Sequence, residues 1–253
     1  MAPTIHLVRH AQGFHNLSVE NESIRDPDLT ALGEQQCADL RASFPAHAKL
    51  TKLVASPLRR TIYTCDLVFG GGSGSGSKNL YPIVLMDNLQ EVSDSPCDTG
   101  SSKDKLVSEF GSRIDVQRVR DGWMEKSEGT VFEPTMAALT ARAKEARREL
   151  KRIAEEADGD IAVVSHGGFL HFLTDDWEGV PLERGTAWSN CMCRSYTFAA
   201  SPDDKDDVRL VETQESWRRR QPVATKQQLT AMEQRELRAV VQQRIGPYLK
   251  IKA

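Results

Sequence analysis

The sequence predicts an α/β protein, a three-layer αβα sandwich built on a mostly parallel central sheet. Apolar runs of strand length alternate with helix-patterned stretches through residues 5–175, the order that gives a parallel sheet covered on both faces. The chain has 253 residues, 39% hydrophobic and 27% charged. That composition supplies the core and surface of one domain, read here as residues 1–253 without an internal repeat.

Ile5-His6-Leu7-Val8 forms the first strand, and a polar loop follows over residues 9–28. Thr30 is placed to N-cap a helix of about 14 residues whose inner face carries Cys37, Leu40 and Phe44. Leu53-Val54-Ala55 is a short buried strand. Ser56-Pro57 then opens a helix through Arg60, Thr64 and Leu67, with the proline near its first turn. Gly70 to Ser77 reads as a flexible Gly/Ser surface loop, to which no chemistry is attached. Ile83 to Met86 is a third strand. Residues 92–134 are irregular, broken by Pro96, Gly100, Gly111 and Gly122, with one short helix near 103–110. A stretch that long between sheet elements reads as a lid or binding insertion. Pro134 and Thr135 begin a long helix to about Ala157, and a fourth strand at 161–164 precedes a helix at about 168–174. Residues 195–198 and 208–211 read as a hairpin around the acidic residues 203–207. A C-terminal helical extension, 212–253, includes a helix from about Thr230 to Arg244, with Thr230 and Glu233 at capping-box spacing.

The net charge of −3 gives no global attraction for nucleic acid, although it says nothing about a local basic pocket. Five cysteines (Cys37, Cys65, Cys97, Cys191, Cys193) are odd in number and lack framework spacing, so reduced thiols are expected. No apolar run approaches the roughly 20 residues that span a bilayer. Residues 1–4 leave no room for a leader before the first strand, so a cytoplasmic location is expected.

The chemistry starts where the strands stop. The first strand ends in Arg9-His10 and the fourth runs into Ser165-His166-Gly167-Gly168. In open α/β sheets ligands bind at the carboxyl ends of strands. Two histidines delivered there with arginines nearby point to phosphate chemistry with histidine as the nucleophile, because a neutral imidazole is nucleophilic near pH 7. His6, His15 and His171 raise the question of a metal. His6 and His10, however, are four apart on a strand, which is not the helical zinc-pair geometry, and no metal or other cofactor is expected.

Leu7-Val8-Arg9-His10-Ala11-Gln12 with Asn16 resembles the signature of the histidine phosphatase superfamily, the phosphoglycerate-mutase-like fold. Four further marks agree in order. They are Asp28-Leu29-Thr30 with Gly33 and Gln36, Ser56-Pro57-Leu58-Arg59-Arg60, Leu89-Gln90-Glu91, and Ser165-His166-Gly167-Gly168. The resemblance covers roughly residues 4–200. It implies His10 as nucleophile, with Arg9, Arg60 and a protonated His166 clamping the phosphoryl oxygens. It selects Arg60 over Arg59, which is expected to be a surface charge. It also selects Glu91 as general acid and later base; Asp94 and Asp98 are nearby alternatives. Asn16, Gln12 and the Gly167 N–H are implied substrate contacts. Gln12 and Ala11 stand where the family usually has Glu and Gly, which makes a glycolytic mutase less expected.

The resemblance therefore implies a metal-independent phosphatase acting on a small phosphorylated molecule through phosphohistidine. Phosphoryl transfer of the mutase type, a non-catalytic phospholigand-binding protein, and pyrophosphate cleavage stand as alternatives. Asp94 and Asp98 add negative charge after Glu91 and argue against a second phosphate. The basic residues Lys103, Lys105, Arg113, Arg118 and Arg120 are read as solvated loop surface. Trp217 with Arg218, Arg219 and Arg220 is read as tail packing, not an RNA contact. No membrane partner is implied, and substrate identity and oligomeric state are left open.

Overall fold

The computed structural model describes residues 3–71, 79–181, 185–200, 208–220 and 228–252. Most of the Gly/Ser loop and the acidic residues 203–207 lie outside these residues.

Seven strands form one sheet in the order β4-β3-β2-β5-β1-β6-β7. They are β1 (Thr4–Arg9), β2 (Leu50–Ala55), β3 (Ile83–Leu85), β4 (Ile114–Asp115), β5 (Asp160–Ser165), β6 (Cys193–Ala200) and β7 (Val208–Glu212). β1, β2, β3, β4 and β5 pair in parallel, while β6 is antiparallel to both β1 and β7. The helices are α1 (Ala31–Ser43), α2 (Arg59–Phe69), α3 (Lys103–Phe110), α4 (Met136–Ala157), α5 (Gly167–Thr174), α6 (Gln214–Arg220) and α7 (Ala231–Ile245).

The period-2 alternation of the strands divides the core in two. Ile5, Leu7, Ile161 and Val163 pack with Leu139, Ala146 and Leu150 of α4 and Phe169 and Leu170 of α5. Val8, Ala162 and Val164 face the other way, onto Cys37 of α1, Ile62 and Cys65 of α2, and Leu106 and Phe110 of α3. Both faces are thus covered, as the continuous apolar runs of β1 and β5 require.

Local signals account for most boundaries. Thr30 caps α1 by accepting from the Gly33 N–H at 3.1 Å. Thr135 caps α4, and Thr230 with Glu233 forms the capping box of α7. α2 departs from expectation: Leu58 is its N-cap, so Pro57 precedes the helix and the chain stays extended up to residue 58. Two elements were not anticipated. β4 is only two residues long and pairs with β3 inside the segment 92–134, and α6 is a single short helix after β7. Among the described residues no helix is long and apolar enough to cross a membrane.

Candidate active site

Sheet order brings the two histidine motifs together. β1 and β5 are neighbours with Arg9 opposite Ser165, and the His10 N–H donates to the Ser165 carbonyl at 2.9 Å. The His10 and His166 ring centroids are 5.2 Å apart. His15, on a 3-10 turn (Phe14–Asn16), brings a third ring within 5.3 Å of His10. His10 and His15, with Arg9, Asn16, Arg60, Glu91 and Gly167, line a cavity of about 150 Å³; His166 is fully buried beside His10 and does not itself line it. A larger cavity of about 270 Å³ lies by Tyr196, Leu210 and Trp217, and none of those groups lines it.

The tautomer of His10 follows from its partner. Nδ1 lies 2.7 Å from the Ala11 carbonyl, which can only accept, so Nδ1 carries the proton and Nε2 keeps its lone pair. Burial, then the neighbouring basic groups, Arg60 foremost with His15 and Arg9, hold the His10 imidazole well below its ordinary value. The ring is therefore neutral. His15 is pushed down to about 2 by burial and by the same two arginines.

Arg60 is fully buried at the start of α2. It donates to the Cys97 carbonyl at 2.6 Å, to Asp98 at 2.9 Å and to His166 Nδ1 at 3.1 Å. A nitrogen that accepts from a guanidinium holds no proton, and His166 Nε2 sits 2.9 Å from the Ser56 hydroxyl. The expectation of a protonated His166 is corrected: burial, Arg60 and His10 hold this ring well below its ordinary value. Arg9 is pushed down to about 10 by burial, still high enough to stay charged. It donates to the Trp188 carbonyl while its Nε has no partner among the described residues.

Glu91 is held by the amino end of α5. Its carboxylate accepts from the N–H groups of Phe169 (2.8 Å), Val92 (3.0 Å) and Gly168 (3.1 Å). Burial and the neighbouring Asp98 charge nonetheless raise its affinity for a proton above the usual carboxylate range; the amide donors only partly oppose them. A glycine is needed at 168 because a Cβ there would stand 2.7 Å from Glu91 Oε1.

Not every expected residue reaches the cavity. Gln12 does not line it; its side-chain oxygen accepts from the Thr30 hydroxyl at 2.8 Å, at the cap of α1. Asn16 does line it, and its oxygen accepts from the Gly13 N–H at 3.1 Å. Arg59 turns away to Asp28 and Glu109, both at 2.8 Å. Arg113, Arg118 and Arg120 form ion pairs with Asp66, Glu149 and Asp87. Asp94 is paired with Lys252 at 2.7 Å and Asp98 with Arg60, so the negative charge read after Glu91 is neutralised within the protein. His6 bonds Ser195 and His171 bonds the Asp176 carbonyl, away from His15. Among the described residues no group of three or more His, Cys, Asp or Glu could hold a metal ion.

Several site residues carried no usable signal in the sequence. Ser56 was read only as a helix opener, and His15 only as a metal candidate. Lys126 is 5% exposed, and its ammonium donates to the carbonyls of Ser93 (2.6 Å), Asp98 (2.9 Å) and Glu91 (3.1 Å). Arg142 of α4 donates to the Gln90 carbonyl at 3.0 Å and stacks 4.4 Å over Phe169. Tyr248, Leu249 and Lys250, beyond α7, also line the cavity. Lys250 pairs with Glu22 and reaches the Ser95 hydroxyl at 3.0 Å.

Comparisons with known proteins identify the family and the fold. The family model described as histidine phosphatase superfamily (branch 1) matches residues 5–239. A phosphoglycerate mutase-like protein of Arabidopsis thaliana is 31% identical over 233 residues, covering 77% of this chain and 84% of that protein. Phosphoglycerate mutase-like protein 2 of the same plant is 42% identical over 258 aligned positions, covering 77% and 74%. The crystal structure of an ecdysone phosphate phosphatase from Bombix mori, in complex with tungstate, shares the fold with a TM-score of 0.55. It has 16% identity and covers 90% of this chain and 96% of that one.

Proposed function

The chain belongs to the histidine phosphatase superfamily, and from that premise we propose that it is a metal-independent phosphatase that hydrolyses a small phosphate monoester through phosphohistidine on His10. The observation that carries this reading is the His10 tautomer. Donation from Nδ1 to the Ala11 carbonyl leaves the Nε2 lone pair for phosphorus, beside buried Arg60 and half-buried Arg9.

In the first step His10 Nε2 bonds to phosphorus as the ester P–O bond breaks. The departing alkoxide takes a proton from Glu91, whose affinity for a proton is raised by desolvation and by the Asp98 charge. Arg9, Arg60 and the Gly167 N–H, the first amide of α5 with no acceptor in its own helix, meet the charge spread over the equatorial oxygens. An arriving phosphate dianion offsets the positive charges that keep His166 neutral, so His166 gains its proton only with substrate bound. In the second step Glu91 takes a proton from water, the oxygen attacks phosphorus, and the P–N bond breaks to release phosphate and restore His10.

The size of the cavity and its outer wall of Glu22, Ser93, Ser95, Tyr248 and Lys250 favour a small polar alcohol as leaving group. Residues 92–134 are assigned to leaving-group recognition within a single domain, with 212–253 an extension of it. The five free thiols suit a reducing, cytoplasmic setting.

The names of the plant relatives favour a second reading, a mutase-type transferase that returns the phosphoryl group to its own substrate skeleton. Intact-protein mass after brief mixing with p-nitrophenyl phosphate and an acid-free quench tests the chemistry, with His10→Ala and a chelator as arms. The phosphatase reading expects a phosphoryl adduct on wild type alone and phosphate release indifferent to chelator. Release that survives His10→Ala overturns the mechanism. An adduct that transfers to added alcohol and not to water favours the mutase.

A further inference from the structure

The loop from Gln90 to Asp98 carries the two carboxylates of the site. Glu91 reaches the amino end of α5, and Asp98 anchors Arg60. Little regular structure supports this loop; its only helical turn is Pro96–Asp98. What supports it is a lysine from about 30 positions downstream. The Lys126 ammonium has three protons to donate, and the carbonyls of Glu91, Ser93 and Asp98 receive one each. The turn that presents Lys126 is itself fixed. The Glu125 N–H closes onto the Gly122 carbonyl at 2.8 Å, and the Trp123 carbonyl accepts from the Gln90 side chain at 3.0 Å. Trp123 is 1% exposed and fills space that only a glycine at position 100 leaves open, since a Cβ there would stand 2.0 Å from its ring.

Burying an ammonium with no carboxylate directly on it is an expensive way to pin three carbonyls; a neutral amide would hold two of them without the loss of hydration. The charge therefore calls for its own explanation. The ionisable groups around it are Glu91 and Asp98 on the loop, Arg60 on α2, Arg142 on α4 and His166 before α5. Two carboxyl groups lie among three other basic groups, and two of the three carbonyls bonded to Lys126 belong to the residues that carry them.

We propose that Lys126 is a positioning residue for proton transfer: it clamps the 91–98 loop so that the Glu91 carboxyl faces the leaving oxygen, and its charge tunes that carboxyl. This rests on the reading of Glu91 as general acid in a phosphohistidine mechanism. The clamp acts on protonation of the leaving group, and Lys126 bonds neither His10 nor either arginine.

The test compares wild type with Lys126→Gln, using an alkyl phosphate such as glycerol phosphate and p-nitrophenyl phosphate, whose leaving group departs without a proton. Rates are taken below pH 7, because burial lowers Lys126 to about 7 and the charge is present there. The expected result is a fall of tenfold or more in kcat/KM for the alkyl ester and a much smaller one for the aryl ester. The pH limb set by Glu91 should move upward, since a carboxyl that loses a cationic neighbour holds its proton more firmly. Equal losses on both esters, or an unmoved limb, would mean a merely structural plug and overturn the proposal. If Lys126→Gln does not fold, Lys126→Arg carries the test. A folded arginine variant with the wild-type limb and ester preference supports a role for the charge, and one with a shifted limb refutes it. Wild type that forms no phosphohistidine defeats the function itself, an outcome distinct from a variant indistinguishable from an active wild type.

Discussion

Gly168→Ala isolates the general acid without touching it. A Cβ at 168 would stand 2.7 Å from Glu91 Oε1, 3.0 Å from Leu249 Cδ2 and 3.2 Å from Val92 Cγ2. All three are side-chain atoms, so the backbone of α5 has no need to move. Alanine is also the better helix former by up to about 1 kcal/mol, which partly offsets the loss at Glu91, so the variant should fold with a modestly lower melting temperature. The cost falls on Glu91. An ordinary contact needs 3.4 Å, so its oxygen must retreat by about 0.7 Å and the 2.8 Å bond from the Phe169 N–H is stretched to the edge of hydrogen bonding. Losing one bond to a charged acceptor costs about 1.5–3 kcal/mol, which corresponds to roughly a 10- to 150-fold loss in rate if the carboxyl leaves its working position. The assay is kcat/KM on glycerol phosphate beside p-nitrophenyl phosphate, because this constant covers the steps up to loss of the alcohol. The alkyl ester should lose at least tenfold and the aryl ester far less. A folded variant that treats both esters as wild type does would refute the assignment of Glu91 as acid.

Three further outcomes are expected. Lys250→Ala should raise KM for glycerol phosphate about tenfold, the value of one charge-assisted bond, with kcat little changed; steady-state kinetics in which only kcat moves would count against a leaving-group contact. Asp98→Ala strands the buried guanidinium of Arg60 and should cost about 3–5 kcal/mol, read as a lower denaturant midpoint; an unchanged midpoint would mean that the ion pair is not holding Arg60. The pH dependence of stability has a definite sign. Burial holds His10, His15, His166 and His171 below 6.5, with His15 at about 2 and His171 at about 4. Below pH 6.5 the unfolded chain takes up protons that these folded rings refuse. Each ring thus removes up to about 1.4 kcal/mol per pH unit down to its folded value. Glu91 and Asp26, both raised in the folded state, oppose this as two groups against four. Urea midpoints should therefore fall between pH 7.5 and 5.5, and equal midpoints would contradict the burial of neutral imidazoles.

Legibility in the sequence followed the range of the interaction. β1 and β5 were readable because burial on both faces demands continuous apolar runs, and the caps at Thr30 and Thr230 because each spans three residues. β4 was invisible, since Ile114-Asp115 is a strand only through its pairing with Ile83 and Val84. Arg9, His10 and His166 could be named because strand ends locate them, and Arg60 was singled out from Arg59 by the family resemblance alone. Gln12 was misjudged because its competitor for hydrogen bonding, Thr30, sits 18 positions away. Lys126 and Lys250 reach their partners across 33 and 155 positions, and no local pattern announces such contacts.

The two walls of the cavity differ in what anchors them. The inner wall hangs from adjoining parallel strands, where a change of residue disturbs the ladder and both cores. The outer wall is assembled from a turn near Glu22, the 91–98 loop and residues 248–250, none of which pairs within the sheet. Apart from Glu91 and Asp98, which the chemistry and Arg60 require, mutations can accumulate in that outer wall without endangering the scaffold. Descent within such a lineage should preserve the handling of phosphorus while the alcohol drifts freely. A relative's name is then a better guide to the bond that breaks than to the molecule that carries it.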